Sequence, residues 1–233
     1  MRAPAIRPVP LAEGLWALEG AWVRWRMGVP MPLRTVVVRL GGGALWVHAP
    51  GPLAPDLRDW LEAQGRVAHL VAPAAPELPC LSDWKAAWPG AQIWRGEAMA
   101  EAPWRREIRP LALRGRAETE HVFCHLASRS AILSRLMIAV DTAPLPPWAR
   151  VLVWLAGIDD SDGKPPPGLP GRIGGRQAVG DLIEAVLDWG PERLILTHGR
   201  SYERDASGEI KRAMRRIMRD RLWDRALREA RWG

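Results

Sequence analysis

Hydrophobic and polar positions follow several different rhythms along this chain. Residues 33–40 carry the β-branched run Val36, Val37 and Val38; Gly41, Gly42 and Gly43 make a turn, and 44–48 continues as a second apolar strand, so this stretch predicts a hairpin. At 55–64 the spacing becomes helical, with Leu57, Trp60 and Leu61 on one side and Gly65 just past the end. A short apolar strand at 67–72 runs into a proline-broken segment at 73–79. Ser82 is placed to cap a short helix bearing Trp84 and Trp88, which Pro89 and Gly90 stop. Further strands are expected at 91–94, 107–113, 122–126 and 131–140.

The second half has another texture. Residues 147–156 have the length and spacing of a buried helix, and 159–175, rich in Gly, Pro and Asp, reads as a long exposed loop. The cleanest helix is 177–189, where Val179, Leu182, Ile183, Val186 and Trp189 share a face and Gly190-Pro191 supplies the stop. A buried strand at 193–197 ends at His198-Gly199. Over 210–232, Ile210, Ala213, Met214, Ile217, Met218, Leu222 and Leu227 form an apolar stripe opposite a row of arginines. Strands early, then a helix–strand–His-Gly ending, imply an α/β sandwich in which two sheets face each other with helices outside.

Composition narrows the function classes. The 233 residues are 48% hydrophobic and 25% charged, enough to bury a sizeable core. Cys80 and Cys124 are too few for a disulfide scaffold and lack the spacing of a zinc ribbon or iron–sulfur site. No apolar run could span a bilayer, and residues 1–10 hold arginines and prolines without an apolar signal core, so the expected location is cytoplasmic. The net charge is +7, and residues 208–233 hold nine cationic side chains against four acidic ones. The chain therefore divides into a body, 1–207, and a basic amphipathic C-terminal helix, 208–233. That helix is expected to pack by its apolar stripe or to meet a second copy in a homodimer; contact with nucleic acid or an anionic membrane is the other reading of its arginines. The fourteen tryptophans are expected to pack in the core, and even the interleaved Trp22–Arg26 stretch reads as packing before base stacking. Ser128, Ser134 and Ser201 lack a nucleophile-elbow context, and the glycines at 171–175 follow no strand and lack phosphate-loop spacing.

Five segments carry a resemblance: 13–19 (EGLWALE), 33–50 with its terminal LWVHAP, 69–84 (HLVAPAAPELPCLSDW), 120–136 (EHVFCHLASRSAILSRL) and 189–199 (WGPERLILTHG). In this order and spacing they resemble the metallo-β-lactamase-like hydrolase superfamily, and more closely a bacterial family at its edge. The resemblance covers residues 12–200 and implies a four-layer αββα sandwich in reduced form. It also implies a metal site, because members hold one or two zinc or iron ions through a His-rich loop after the strand matching 67–72. A bridging Asp after the strand matching 131–133 and a last His after the final strand complete that set. Aligned on Pro73 and Trp84, the edge family's loop pattern of one Asn and two His falls on Ala74, Glu77 and Leu78. Arg135 falls on the Asp, and His198 alone keeps its type.

A catalytic zinc needs about three converging protein ligands with lone pairs. Alanine and leucine offer none, and a guanidinium stays protonated and repels a dication. The expectation is therefore no metal, with one Zn or Fe ion near His198 as the alternative. His48, Glu77, His125, Arg135 and His198 are the candidate pocket residues, with no catalytic residue assigned. His198 lines a pocket or survives as a vestige bonded to backbone; His125 makes a structural hydrogen bond in preference to ligating a metal; His48 faces the pocket or is satisfied locally; His69 and His121 face solvent. Glu77 and Arg135 pair in place of the lost cation, or else Glu77 points to water while Arg135 snorkels outward. The resulting expectation is a non-catalytic binding or interaction protein with a small-molecule or protein partner. The alternative is a hydrolase of esters, lactones or phosphoesters, using one metal, or none with Glu77 or His198 as general base.

Overall fold

The computed structural model describes residues 6–73, 80–115, 118–161 and 163–232, with backbone alone for Arg26 and 220–232. β1 (Arg7–Ala12), β2 (Leu15–Arg24), β3 (Pro30–Arg39) and β4 (Ala44–His48) form an antiparallel run. α1 (Pro55–Gln64) and α2 (Leu81–Ala87) then lead to β5 (Arg66–Val71) and β6 (Gln92–Trp94), which continue the sheet in parallel. The six strands lie in sequence order. The hydrophobic pattern did not predict β1 and β2. β1 is an edge strand with two prolines, and the alternation of β2 is broken by a register shift between Leu18 and Ala21.

The second sheet runs β10-β9-β8-β7, from β7 (Ile108–Arg114), β8 (Thr119–His125), β9 (Ser130–Leu133) and β10 (Arg193–Leu196). Only the β9–β10 pair is parallel. α3 (Pro147–Ala156), α4 (Leu169–Arg172), α5 (Gly175–Asp188) and α6 (Ala206–Trp232) fill the later connections and the C-terminal region.

The valine run of β3 shows how the layers are made. Strand side chains alternate, so Val36 and Val38 face one way and Val37 the other. Val36 and Val38 join Trp46, Trp104, Ile108, Phe123, Ile132 and Ile195 between the sheets, while Val37 packs with Leu57, Leu61 and Trp84 of the first helical layer. Beyond the second sheet, Val122, Leu133, Leu194 and Leu196 meet Val179, Ile183 and Val186 of α5 and Ile210, Ala213, Met214 and Ile217 of α6. The order of layers is helix, sheet, sheet, helix. Among the described residues no helix is long and apolar enough to cross a membrane.

Four expectations are corrected. The strand foreseen at 131–140 ends at Leu133; Ile138, Ala139 and Val140 make only isolated bridges, to Lys164, Gly199 and Asp159, because the chain leaves β9 to wrap the turn after β10. Ser82 is not a cap: α2 starts at Leu81, after Cys80, with no side-chain cap bond. Residues 147–156 do not form a buried helix, since Ala149 and Val153 are buried but Trp148, Val151, Trp154 and Leu155 are 50–68% exposed. Nor is 159–175 wholly an exposed loop, for Leu169 and Ile173 around α4 enter the core beneath α5. The side chains of Leu222 and Leu227 lie outside the described residues.

Candidate functional site

Parallel pairing brings the ends of β4 and β5 to one edge of the first sheet, and those of β9 and β10 to one edge of the second. Open α/β folds gather their sites at such carboxyl edges. The two edges are sewn together by long-range hydrogen bonds. Arg34 N–H donates to the Thr197 carbonyl at 2.8 Å, and His121 N–H donates to the Pro73 carbonyl at 3.1 Å. The Arg34 guanidinium adds bonds to the carbonyls of Leu196 at 2.5 Å and Gly199 at 2.6 Å, and pairs with Glu19 at 2.9 Å. Gly199 has φ +102°, and a Cβ there would collide with the Ala139 carbonyl, so glycine lets the turn after His198 close against 138–140.

Three imidazoles meet at this edge. His48, the last residue of β4, is fully buried, its ring nearly parallel to Trp46 (centroids 5.6 Å apart, 19°) and edge-on to Phe123 at 5.2 Å. Its Nε2 is 3.3 Å from Ser134 Oγ, which is also 3.3 Å from Thr197 Oγ1, while Nδ1 has no hydrogen-bond partner among the described residues. Burial pushes the His48 pKa down to about 3, with His198 and His121 adding to the effect. His198 Nδ1 donates to the Pro32 carbonyl at 2.9 Å, which leaves Nε2 with the lone pair. Burial lowers its pKa, the Pro32 bond opposes, and Arg135 and Arg34 lower it further. His121 Nδ1 donates to the Pro73 carbonyl at 3.1 Å, and burial lowers its pKa as well. At neutral pH all three rings are uncharged.

Arg135 occupies the turn after β9, and its partners are fixed. Its backbone N–H and Nε donate to the two carboxylate oxygens of Glu120 at 2.8 and 3.0 Å, Nη2 donates to Glu120 at 2.9 Å, and Nη1 bonds Glu118. Arg172 of α4 pairs with Glu118 from the other side at 2.8 Å. The Glu120 side chain is fully buried and that of Arg135 is 15% exposed. Burial raises the Glu120 pKa, and the guanidinium and its hydrogen bonds oppose that shift.

Of the five candidate residues, His48 and His198 come together, with Arg135 close enough to act electrostatically on His198. Arg135 does not snorkel outward: Glu118 and Glu120 hold it. Glu77 lies outside the described residues, and so does its pairing with Arg135. His125 stands apart, four residues beyond His121 along β8, about 13 Å at the rise of a strand. There it bonds Ser128 Oγ at 2.7 Å beside a separate cavity of about 470 Å³ that Glu107 and Arg39 also line. Two histidines expected in solvent are not there. His121 is 3% exposed, and His69 is half-buried with Nδ1 accepting the Trp94 indole N–H at 3.0 Å. The sequence signal for His121 was available: it shares the alternation of Phe123, which faces the inter-sheet core. Ser134 and Glu120 gave no such signal, since their roles depend on contacts 86 and 15 residues away.

Whether this edge could hold a metal is decided by its donors. Among the described residues no group of three or more His, Cys, Asp or Glu converges to hold an ion. One donor of the imidazole trio is spent at each of His121 and His198 on a carbonyl, two guanidiniums act on His198, and among the described residues the carboxylates beside Arg135 are taken up in pairing with it. Among the described side chains, only neutral rings would face a dication there, with the guanidiniums of Arg34 and Arg135 acting on His198. These described side chains do not fit a tightly bound metal.

No protein-family model matches the chain, and no curated protein matches its sequence. Solved structures do match its architecture. The metallo-β-lactamase FIM-1 from Pseudomonas aeruginosa, in its mono-zinc form, aligns over 95% of this chain and 99% of its own at a TM-score of 0.61 and 8% identity. A metallo-β-lactamase from Hirschia baltica aligns over 91% and 97% at 0.57 and 10% identity. One from Erythrobacter litoralis aligns over 96% of this chain and 95% of its own at a TM-score of 0.54 and 14% identity. Sequence identity this low carries architecture and nothing about residues. With two sheets face to face, helices outside both and near-complete coverage, the chain has the metallo-β-lactamase fold.

Proposed function

We propose that this protein is a non-catalytic binding or interaction protein on a metallo-β-lactamase scaffold, with its ligand contacts at the edge where His48, His121 and His198 meet. The observation that carries the reading is Arg135. It stands where the superfamily resemblance calls for a bridging aspartate, and its charge is locked by Glu118 and Glu120 instead of being open to a substrate or an ion. Neutral, desolvated imidazoles favour a polar ligand group over a metal-bound hydroxide. Metal analysis of protein purified without chelator tests this, followed by turnover assays on ester, lactone and phosphoester panels after zinc or iron loading. Metal well below one equivalent and no turnover are expected; one equivalent of firmly held zinc with hydrolysis that depends on His198 overturns the proposal.

One observation favours a second reading, a hydrolase with a single metal. His198 donates Nδ1–H to a backbone carbonyl and keeps Nε2 as a lone-pair donor, the arrangement in which a histidine ligates metal or acts as a base. The mono-zinc form of FIM-1 is a structural neighbour of this kind. The same metal analysis separates the two readings.

A further inference from the structure

The inner side of α3 is buried: Ala149 and Val153 pack with Val29, Met31, Ile138 and Leu145. Its outer side is apolar too. Trp148, Val151 and Leu155 recur at helical spacing, Trp154 stands beside them, and all four are 50–68% exposed. Arg150 is the one charged residue among the ten of this helix. A helix at a protein surface ordinarily turns polar side chains outward, and one that is apolar all round is covered on both sides. Single exposed apolar residues need no explanation, but two tryptophans, a valine and a leucine on one side of one helix make a contiguous patch.

A second apolar element lies at the same corner. Trp25 and Val29, at the turn joining β2 to β3, belong to the cluster that packs under α3. Between them Met27 is 82% exposed, with φ +55°. That left-handed conformation strains a bulky L-residue, and Gly or Asn would adopt it more easily and hydrate better.

The charges nearby indicate the cover. Neither residues 20–40 nor 142–158 include an acidic residue. Arg150, four residues before Trp154 and so next to it on the helix surface, donates to the Ala143 and Leu145 carbonyls, which hold it without cancelling its charge. A second copy of this chain would set one cationic rim against another. The four α3 side chains also offer about 500 Å² of apolar surface, at about 150–250 Å² for a whole aromatic side chain, short of the roughly 800 Å² per partner of a stable protein interface. An anionic lipid surface supplies the opposite charge and needs no matching shape. Apolar side chains enter its acyl boundary, tryptophans sit at headgroup level and arginine meets lipid phosphates.

We propose that α3 and the β2–β3 turn form a docking face for an anionic lipid bilayer. Ten helical residues reach about 15 Å, half of the bilayer's hydrocarbon thickness of about 30 Å, so α3 lies in the interface plane and does not cross it. Insertion of apolar side chains carries the binding, and the net charge of +7 adds an attraction that salt weakens. None of these side chains is a hydrogen-bond partner of the three imidazoles, so docking holds whether or not the histidine edge is catalytic.

Co-sedimentation of the full chain with phosphatidylcholine vesicles, with and without phosphatidylglycerol, tests the proposal. Binding is expected to the anionic vesicles, reduced but not abolished by high salt. Trp154 and Leu155 are exposed, so the Trp154→Ser/Leu155→Ser variant should fold, which an unchanged melting temperature would verify. It should weaken binding by about tenfold or more, since apolar area is what the bilayer buries. Trp154→Phe/Leu155→Met, which stays apolar, should retain most of the binding. Absence of the chain from the anionic vesicle pellet overturns the proposal. So does undiminished binding by Trp154→Ser/Leu155→Ser, which would show diffuse attraction of a cationic chain in place of a docking face. Sedimentation equilibrium without lipid gives a third check. A monomer is expected, and a dimer that Trp154→Ser/Leu155→Ser dissociates overturns the proposal, because a second copy would then be the cover.

Discussion

The two faces of β8 bury polar side chains by opposite means. On the face toward the helices, Glu120 is fully buried and keeps its place through three hydrogen bonds from Arg135. On the face between the sheets, His121 is buried against Phe123, acts electrostatically on His48, and has no carboxylate partner among the described residues. One face solves desolvation by pairing charges, the other by giving them up: the imidazoles are held neutral, and burial lowers all three pKa values. The faces should therefore fail under different stresses, mutation for the first and acid for the second.

The largest expected effect comes from breaking the paired face. Glu120→Ala leaves the Arg135 charge buried with Glu118 as its one carboxylate among the described residues and should cost about 3–5 kcal/mol in urea unfolding. A loss under about 1 kcal/mol would mean that Arg135 reaches water and the contrast between the faces is false.

Acid should expose the neutral face. In the unfolded chain His48 titrates near the ordinary 6.5, whereas in the folded protein its pKa is about 3. Between these values the unfolded chain binds a proton that the folded one refuses, so stability is full above pH 6.5 and falls as pH drops toward 3. The linked loss is about 3 kcal/mol by pH 4. His48→Asn should flatten that part of the stability–pH profile; an unchanged profile would show that His48 is not the group responsible.

Smaller effects sharpen the picture. Ser134→Ala removes the hydroxyl between His48 Nε2 and Thr197 Oγ1 and should cost about 1 kcal/mol, measurable as a shift in denaturation midpoint. Smallest of all, Glu192→Ala breaks the pair with Arg129, whose partners are 54% and 65% exposed, and should change stability by less than about 1 kcal/mol. A larger effect there would show that exposure is not what separates strong from weak pairs in this chain.

Much of the frame was legible in advance. The valine run at 36–38, the stripe on α5 and the strand before His198 are local patterns with a fixed period, and each formed where the period put it. β1 and β2 were not legible, because prolines and a register shift erase alternation while backbone pairing with β3 still holds the strands. At the candidate site, His48 and His198 could be read from their positions at strand ends. The partners of Arg135 could not, since Glu118 and Glu120 lie on the neighbouring strand and its approach, and nothing local distinguishes them from surface carboxylates.

Side-chain period and strand-end position are properties of the chain itself, so the sequence determined the alternating core, the layered α/β class and the presence of a histidine at each of two carboxyl ends. Which polar groups would be desolvated, and with whom, was left to the tertiary structure. Only the packing of one sheet on the other sets the dielectric around His48, and only the antiparallel register of β8 beside β9 brings Glu120 to Arg135. Burial and pairing are long-range quantities, and no local pattern encodes them.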